Sequence, residues 1–282
     1  MNTQSGNAQS DDVVVEIEYE SFGYDGDPLL VLVPGYGAQL LFYPEEFCQG
    51  LVDRGFWVVR MDNRDAGLSS RVPGGYGLED MAADVRAVID DVQSTEAHVM
   101  GFSMGGMIAQ MVGHHHADVV KSLALTATAS GNRNIANSEP HVVEALLADP
   151  VEGGIDERVA ADVEARRIWA SPEWHDDDLT AEYFRRVYER GGIEDGSAQA
   201  RQSAAIAQSG NRDDIVRGLT QSITVIHGAE DPLIPPANGE HLAGLVDHAE
   251  LLLVDGMGHD LPVQAWAAII SAVTAGVARS YE

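Results

Sequence analysis

Short apolar runs rich in Val, Ile and Leu recur along the chain and are typical of β-strands. They lie at residues 29–33, 56–61, 98–100, 122–125, 223–226 and 250–254. Because these runs do not alternate with polar residues, we expect strands that are buried on both faces of a parallel sheet. Residues 13–19 alternate instead, which predicts an antiparallel edge strand with one face in solvent.

Apolar residues spaced three and four apart lie between these runs and predict amphipathic helices. The clearest stripes consist of Leu78, Met81, Ala82, Val85, Val88, Ile89 and Val92, and of Trp266, Ile269, Ile270, Val273 and Val277 near the end of the chain. Alternating strands and helices are typical of α/β proteins, in which helices cover a mostly parallel sheet.

The alternation stops between about residues 131 and 218, where helical patterning continues without a convincing strand. We therefore predict a core formed by residues 13–130 and 219–282, with a helical cap inserted at 131–218. The first 12 residues are polar, and we expect a disordered tail. Five aromatic residues of the cap are expected to pack it onto the core, with lining of a pocket as the alternative. They are Trp169, Trp174, Tyr183, Phe184 and Tyr188.

Composition narrows the classes of partner. The formal net charge is −28, so nucleic acid and anionic membrane surfaces would be repelled. No apolar run reaches the roughly 20 residues that span a bilayer, and the polar start does not resemble a signal peptide. Cys48 is the single cysteine, which excludes an intrachain disulfide. We expect a cytoplasmic protein, with a homodimer as an alternative to a monomer.

A Gly-x-Ser-x-Gly motif at residues 101–105 carries the first chemical indication. It follows the apolar run 98–100 and precedes a helical pattern, which is the strand, sharp turn and helix that a nucleophile elbow requires. Small residues flank the serine because the helix must approach the strand closely. The motif therefore predicts Ser103 as a nucleophile held at the carboxyl edge of the sheet.

A serine hydroxyl needs a base to accept its proton. His259 lies in a loop between the last apolar run and the final helix, so it reaches the same edge of the sheet as Ser103. His114, His115 and His116 follow one another at the end of a helix, where a solvated role is expected and metal binding is the alternative. We therefore expect His259 to be the general base and predict no metal site.

A carboxylate must orient the base, and Asp231 lies in the loop after the run 223–226. Glu230 is the nearest rival, and Asp255 and Asp260 are weaker ones. The resulting chain order of serine, aspartate and histidine is the order found in α/β-hydrolases.

An oxyanion intermediate needs two backbone N–H donors. We expect one from Met104, which follows the nucleophile at the start of its helix, and one from Tyr36 in the glycine-containing loop after the run 29–33. Gly35 is the alternative to Tyr36. The residues that bind the rest of the substrate cannot be assigned from the sequence.

These motifs resemble the α/β-hydrolase superfamily from about residue 13 to the C-terminus, with the cap least similar. The segment Met-Asp-Asn-Arg-Asp-Ala-Gly-Leu-Ser at 61–69, together with Gly-Met-Gly-His at 256–259, resembles the branch of aclacinomycin methylesterase and enol-lactonase-like hydrolases. One departure is Pro34-Gly35 where the family often has His-Gly, so contacts of that histidine are lost. Arg64 within the first segment is expected to anchor its loop.

The resemblance implies the α/β-hydrolase fold, with a mostly parallel eight-stranded sheet, flanking helices and an inserted cap. It also implies a small-molecule carboxylic ester or lactone as substrate, an acyl-enzyme mechanism and no cofactor. Met104, Met107 and Met111 suggest a substrate with an apolar part, although methionines at helical spacing are more often core. A lactonase, a carbon–carbon bond hydrolase, a perhydrolase and a non-hydrolytic ligand-binding or cyclase protein are the alternatives. Epoxide hydrolases and dehalogenases are disfavoured because their elbow normally carries aspartate.

Overall fold

The predicted strands and helices form a sheet covered by helices on both faces in the computed structural model, which describes residues 4–10, 15–192 and 196–282. The strands are β1 (Gln4–Ser10), β2 (Val15–Phe22), β3 (Leu29–Val33), β4 (Trp57–Met61), β5 (Ala97–Phe102), β6 (Val120–Thr126), β7 (Ser222–Gly228) and β8 (Glu250–Val254). The helices are α1 (Glu45–Val52), α2 (Leu78–Asp91), α3 (Met104–His115), α4 (Pro140–Leu146), α5 (Ile155–Arg166), α6 (Asp177–Gly191), α7 (Ser197–Ser209), α8 (Asp213–Arg217), α9 (Ala237–Gly244) and α10 (Trp266–Arg279).

The strand order is β1-β2-β4-β3-β5-β6-β7-β8. Strand β2 pairs antiparallel with β1 and β4, and every other pair of neighbours is parallel. This confirms the α/β class and the mostly parallel sheet. Because β3, β5, β7 and β8 run in the same direction, the loops that follow them meet at one edge of the sheet.

The N-terminal segment differs from the prediction. Strands β2 to β8 correspond to the alternating segment 13–19 and the six apolar runs found in the sequence, whereas the eighth strand is β1 in the expected disordered tail. Strand β1 has no apolar alternation, and it forms through backbone pairing with β2, from Gln4 opposite Ser21 to Ser10 opposite Val15. The remaining tail residues, 1–3 and 11–12, lie outside the described residues.

Burial follows the predicted pattern in the centre of the sheet and departs from it at one edge. All five residues of β3 are buried, and β2 alternates between buried and more exposed positions. Strand β8 was expected to be buried on both faces, but Leu251 and Leu253 are exposed. The prediction is wrong there because β8 has a neighbour on one side only and its outer face is incompletely covered.

The helices divide the core into two apolar layers. One layer packs α2, α3 and α9 against one face of the sheet, and the other packs α1 and α10 against the opposite face. Helix α3 is buried all round from Met104 to Gly113, because it lies between the sheet and its neighbours α2 and α8. The helix that follows Ser103 is therefore held at the centre of the molecule.

Helices α4 to α8 lie between β6 and β7, and the described residues of this insertion contain no strand. Two arginines of the insertion tie it to the core through short ion pairs. Arg190 donates to the buried Asp62 at 2.7 Å, and Arg201 makes two hydrogen bonds to Asp65 at 2.7 and 2.8 Å. Arg64 anchors the same core loop by two hydrogen bonds to Asp84 of α2.

Within the described residues, every helix is too short or too polar to cross a lipid bilayer.

Candidate active site

The elbow holds Ser103 in a strained backbone conformation. Its φ of 56° and ψ of −117° lie in a region that non-glycine residues rarely adopt, and such positions cost about 1–3 kcal/mol each. The strain is offset by hydrogen bonds on both sides of the residue. The Ser103 N–H donates to the Thr126 carbonyl at 2.9 Å, and the Thr128 hydroxyl donates to the Ser103 carbonyl at 2.7 Å. The turn therefore presents the serine between β5 and α3.

The glycines of the elbow are required by close packing. A Cβ on Gly101 would lie 2.1 Å from the Gly105 carbonyl oxygen, and a Cβ on Gly105 would lie 2.1 Å from the Val33 carbonyl oxygen. Both distances are far inside van der Waals contact with backbone atoms, which cannot move away as a flexible side chain can. The glycines thus let α3 approach both β5 and the end of β3.

Asp231 and His259 form a buried pair beyond the ends of β7 and β8. His259 Nδ1 lies 2.7 Å from Asp231 Oδ2, and the two residues are 4% and 2% exposed. The other carboxylate oxygen, Oδ1, accepts the backbone N–H groups of Leu233 and Ile234 at 2.9 and 2.8 Å. A carboxylate at Nδ1 keeps the proton on that nitrogen, so Nε2 is left as the proton acceptor.

The rival carboxylates have other environments. Glu230 and Asp255 are exposed, and Asp260 accepts a hydrogen bond of 2.6 Å from the Ser171 hydroxyl. Asp231 is the carboxylate that contacts the imidazole.

His227 lies behind this pair and is fully buried. Its Nε2–H donates to the Ile234 carbonyl at 2.8 Å and lies 3.6 Å from Asp231 Oδ2. Burial lowers the pKa of His227, so this ring is neutral at physiological pH. Asp231 Oδ2 therefore lies near two imidazoles, 2.7 Å from His259 Nδ1 and 3.6 Å from His227 Nε2.

The loop that carries His259 is clamped by the insertion. The His259 N–H donates to the Trp169 carbonyl at 2.6 Å, and the Gly258 N–H donates to the Ser171 hydroxyl at 2.9 Å. Sequence reasoning missed Ser171, because nothing in its spacing connects it to a loop 87 residues later.

The expected oxyanion loop runs beside the serine. A Cβ on Gly35 would lie 3.3 Å from Ser103 Cβ, which places the backbone of this loop next to Ser103. Asn63 donates to the Pro34 carbonyl at 2.9 Å, and Gly37 donates its N–H to Gln202 of α7 at 2.8 Å. Met104 is the first residue of α3, where backbone N–H groups have no partner within the helix.

Ser103 opens onto a cavity of about 410 Å³ that Tyr36 and Met104 also line. The described part of its lining contains none of the five aromatic residues considered above. Trp169 packs with Val142 and Leu233 as expected, and Phe184 and Tyr188 line a separate cavity of about 140 Å³. Of the three methionines, Met104 and Met107 line the cavity in front of Ser103, while Met111 belongs to the core.

The two halves of the site meet through Phe102. Its ring packs edge-on against the imidazole of His259, with centroids 5.1 Å apart, and its backbone leads directly to Ser103. Within the described residues the contact runs through this ring rather than through a direct Ser103–His259 hydrogen bond. Catalytic hydrogen bonds are often longer without substrate and shorten in the complex.

No group of three or more His, Cys, Asp or Glu side chains is arranged to hold a metal ion in the described part of the chain. His114 and His115 are exposed at the end of α3.

The family model described as alpha/beta hydrolase fold matches residues 28–265, which is more than half of the chain. The chain belongs to the α/β-hydrolase fold family. The serine, aspartate and histidine at the carboxyl edge of the sheet occur in the chain order of this family.

Relatives of this α/β-hydrolase include two enzymes with names that describe ester and lactone hydrolysis. Rhodomycin D methylesterase DnrP from Streptomyces peucetius is 28% identical over 279 residues, covering 91% of this chain and 93% of the relative. The 3-oxoadipate enol-lactonase 2 from Acinetobacter baylyi is 25% identical over 245 residues, covering 86% and 85%. The crystal structure of esterase RhEst1 from Rhodococcus sp. ECU1013 superposes with a TM-score of 0.78 and 20% identity, covering 99% of each chain, and this likeness shows the fold.

Proposed function

We propose that this protein is a serine hydrolase that cleaves a carboxylic ester through an acyl-enzyme intermediate. Ser103 is the nucleophile, His259 the general base and Asp231 the residue that orients the base. One observation carries the proposal. The buried 2.7 Å contact between His259 and Asp231 lies at the same edge of the sheet as a serine held in a strained elbow.

In the first step His259 Nε2 accepts the proton of the Ser103 hydroxyl while its oxygen attacks the ester carbonyl. The imidazolium that forms is stabilised by the Asp231 carboxylate, which stays ionised. The backbone N–H groups of Tyr36 and Met104 hold the developing oxyanion. His259 then returns the proton to the departing alcohol, which leaves Ser103 acylated.

In the second step water replaces the alcohol. His259 removes a proton from water, the hydroxide attacks the acyl carbonyl, and the Ser103 oxygen leaves with the proton that His259 returns. The products are a free acid and the regenerated serine. No cofactor is needed for this sequence of bonds.

The relatives support ester hydrolysis over the other chemistries considered. Two proteins matched over most of their length are named a methylesterase and an enol-lactonase. A lactone is an internal ester, so the same triad would open it without a different mechanism. Carbon–carbon bond hydrolysis and a purely ligand-binding role are not favoured.

The insertion at residues 131–218 is proposed to be the cap that selects the substrate, because residues near its beginning and near its end line the cavity in front of Ser103. The cytoplasmic location and the alternative of a homodimer remain predictions.

Hydrolysis of a graded panel of p-nitrophenyl esters and simple lactones tests this proposal. Wild type is expected to turn over at least one class, and Ser103→Ala to abolish turnover while its circular-dichroism melt stays close to that of wild type. Retention of most activity by a folded Ser103→Ala variant would show that Ser103 is not the nucleophile.

A further inference from the structure

The charged side chains that line the cavity in front of Ser103 are arginines. Arg133 and Arg212 belong to its wall, and the described lining contains neither aspartate nor glutamate. The chain as a whole has 45 acidic residues against 17 lysines and arginines. A cavity with two cations and no anion therefore has the opposite charge to the protein around it.

Arg212 carries a buried charge that no carboxylate contacts within the described residues. The side chain is 2% exposed, and its four hydrogen-bond acceptors are all neutral. They are Gln110, the Ser209 hydroxyl and the carbonyls of Ala129 and Gly210. Burial lowers the pKa of Arg212 to about 10, so the guanidinium remains protonated at neutral pH.

The neighbouring carboxylate, Asp213, does not cancel this charge at the cavity. It is absent from the described lining, and its oxygens accept hydrogen bonds from Ser130, Asn132 and His241. Arg217 lies 3.9 Å from it as well.

Arg133 is exposed in the loop between β6 and α4, and no carboxylate of the described residues pairs with its guanidinium. The buried Arg212 uses its donors to hold the surrounding loops, whereas those of Arg133 are available to a ligand. A planar guanidinium at the wall of a cavity binds carboxylates through two parallel hydrogen bonds.

We infer that the substrate is an ester or lactone that carries a second, anionic group, and that Arg133 binds this group while Arg212 supplies a positive field. This inference rests on the proposed function and names the substrate class of the same site. A clustered positive charge raises the local concentration of an anion that the net charge of −28 would otherwise repel.

The rest of the wall indicates what links the two groups. Met107, Ile206 and Leu233 line the cavity together with Val143 and Leu147 of the α4 region. An apolar segment between the ester and the anion would cover these side chains.

The inference is tested with monomethyl esters of dicarboxylic acids that have spacers of graded length. The comparison compounds are the same methyl esters with an amide in place of the free carboxylate, which have nearly the same size but no charge. Methanol release is measured for wild type, Arg133→Gln and Arg133→Lys. Arg54→Gln is the matched control, since Arg54 is exposed before β4, at the opposite end of the sheet. It changes the net charge by the same amount.

Wild type is expected to prefer the carboxylate over the amide at one spacer length. Arg133→Gln should lower that preference by about tenfold through KM, the order expected for one lost charge-assisted contact, while leaving turnover of the amide series within about twofold. Arg133→Lys should retain part of the preference, and Arg54→Gln all of it. Added salt should reduce the preference.

Equal turnover of acid and amide esters by wild type at every spacer length would overturn the substrate class. Equal loss on both series in Arg133→Gln would overturn the role given to Arg133, because an arginine that contacted only the ester or the product acid would affect every ester alike. An unchanged preference in Arg133→Gln would refute the assignment of that residue. No turnover of any ester, together with no labelling of Ser103 by a fluorophosphonate probe, would instead overturn the proposed function itself.

Discussion

Replacing Asp231 with asparagine tests how the buried pair works, because the structure determines which way the new amide must point. Oδ1 of Asp231 accepts two backbone N–H groups, from Leu233 and Ile234. The asparagine oxygen must occupy that position, since an NH₂ group there would face two donors. The NH₂ group then replaces Oδ2, 2.7 Å from His259 Nδ1.

A donor at this position reverses the tautomer of the imidazole. Nδ1 must give up its proton to accept from the amide, and the proton then lies on Nε2, the atom that should accept it from Ser103. The same change in another serine hydrolase family costs about 10⁴ in kcat, equivalent to about 5–6 kcal/mol of transition-state stabilisation. We expect a loss of this order in kcat for Asp231→Asn.

The assay is the kcat for the best p-nitrophenyl ester, with the thermal midpoint measured in parallel. Glu230→Gln and Asp255→Asn are the matched controls, because both side chains are exposed and both carry the same charge as Asp231. They should stay within about threefold of wild type, as surface substitutions usually do. Activity of Asp231→Asn within about tenfold of wild type, or an equally large loss in Glu230→Gln, would show that Asp231 does not set the tautomer of His259.

Three further predictions concern the scaffold. Gly105→Ala should destabilise the fold by about 2 kcal/mol or more in urea unfolding, because its Cβ would lie 2.1 Å from a backbone oxygen of β3. Gly244→Ala, which meets nothing within 4 Å, should be neutral or slightly stabilising. Arg201→Gln should lower the free energy of unfolding by about 2–3 kcal/mol, because it leaves the fully buried carboxylate of Asp65 without its cationic partner. Arg185 forms an exposed ion pair, so Arg185→Gln should leave the unfolding midpoint unchanged. Burial lowers the pKa of His98 from 6.5 to about 4, so between these pH values the unfolded chain binds a proton that the folded protein does not. The free energy of unfolding should therefore fall as the pH decreases from 6.5 to about 4. The variant His98→Gln should show a smaller decrease over this range.

Three results would contradict these predictions. A Gly105→Ala variant as stable as Gly244→Ala would mean that α3 can move away from β3. An Arg201 variant no worse than Arg185→Gln would mean that the insertion is held by other contacts. A pH profile identical in wild type and His98→Gln would place the acid-sensitive group elsewhere.

Local patterns predicted the fold and the positions of the three loops that carry Ser103, Asp231 and His259, because each loop follows an apolar run. The runs before Ser103, Asp231 and His259 are β5, β7 and β8, which run parallel in the same sheet with β6 between β5 and β7. Parallel strands bring the loops at their carboxyl ends to one edge. The contact between Asp231 and His259 therefore follows from strand direction and chain order. The backbone strain at Ser103 follows from the tight turn that the flanking glycines permit.

What the sequence did not predict depends on how distant segments fold back. Ser171 clamps the His259 loop and Gln202 anchors the loop of Gly37, yet each belongs to the insertion and has no motif around it. Strand β1 was missed for another reason. Its pairing with β2 uses backbone groups, which leave no hydrophobic pattern to detect.

The position of two arginines in one cavity could not be predicted from the sequence. Arg212 in sequence is one of several arginines near acidic residues, and adjacent Asp213 suggests an ordinary surface pair. In the structure Asp213 bonds elsewhere while Arg212 is buried among neutral acceptors at the cavity wall. Charge in a sequence gives no information on which side chains share a cavity.

Active-site labelling tests whether Ser103 is a nucleophile activated by His259. A fluorophosphonate probe should modify wild type with one equivalent, and mass spectrometry of the digested protein should locate the adduct on Ser103. Labelling should disappear in Ser103→Ala and become slower by orders of magnitude in His259→Ala. An adduct on another residue, or equal labelling rates in wild type and a folded His259→Ala variant, would contradict the account.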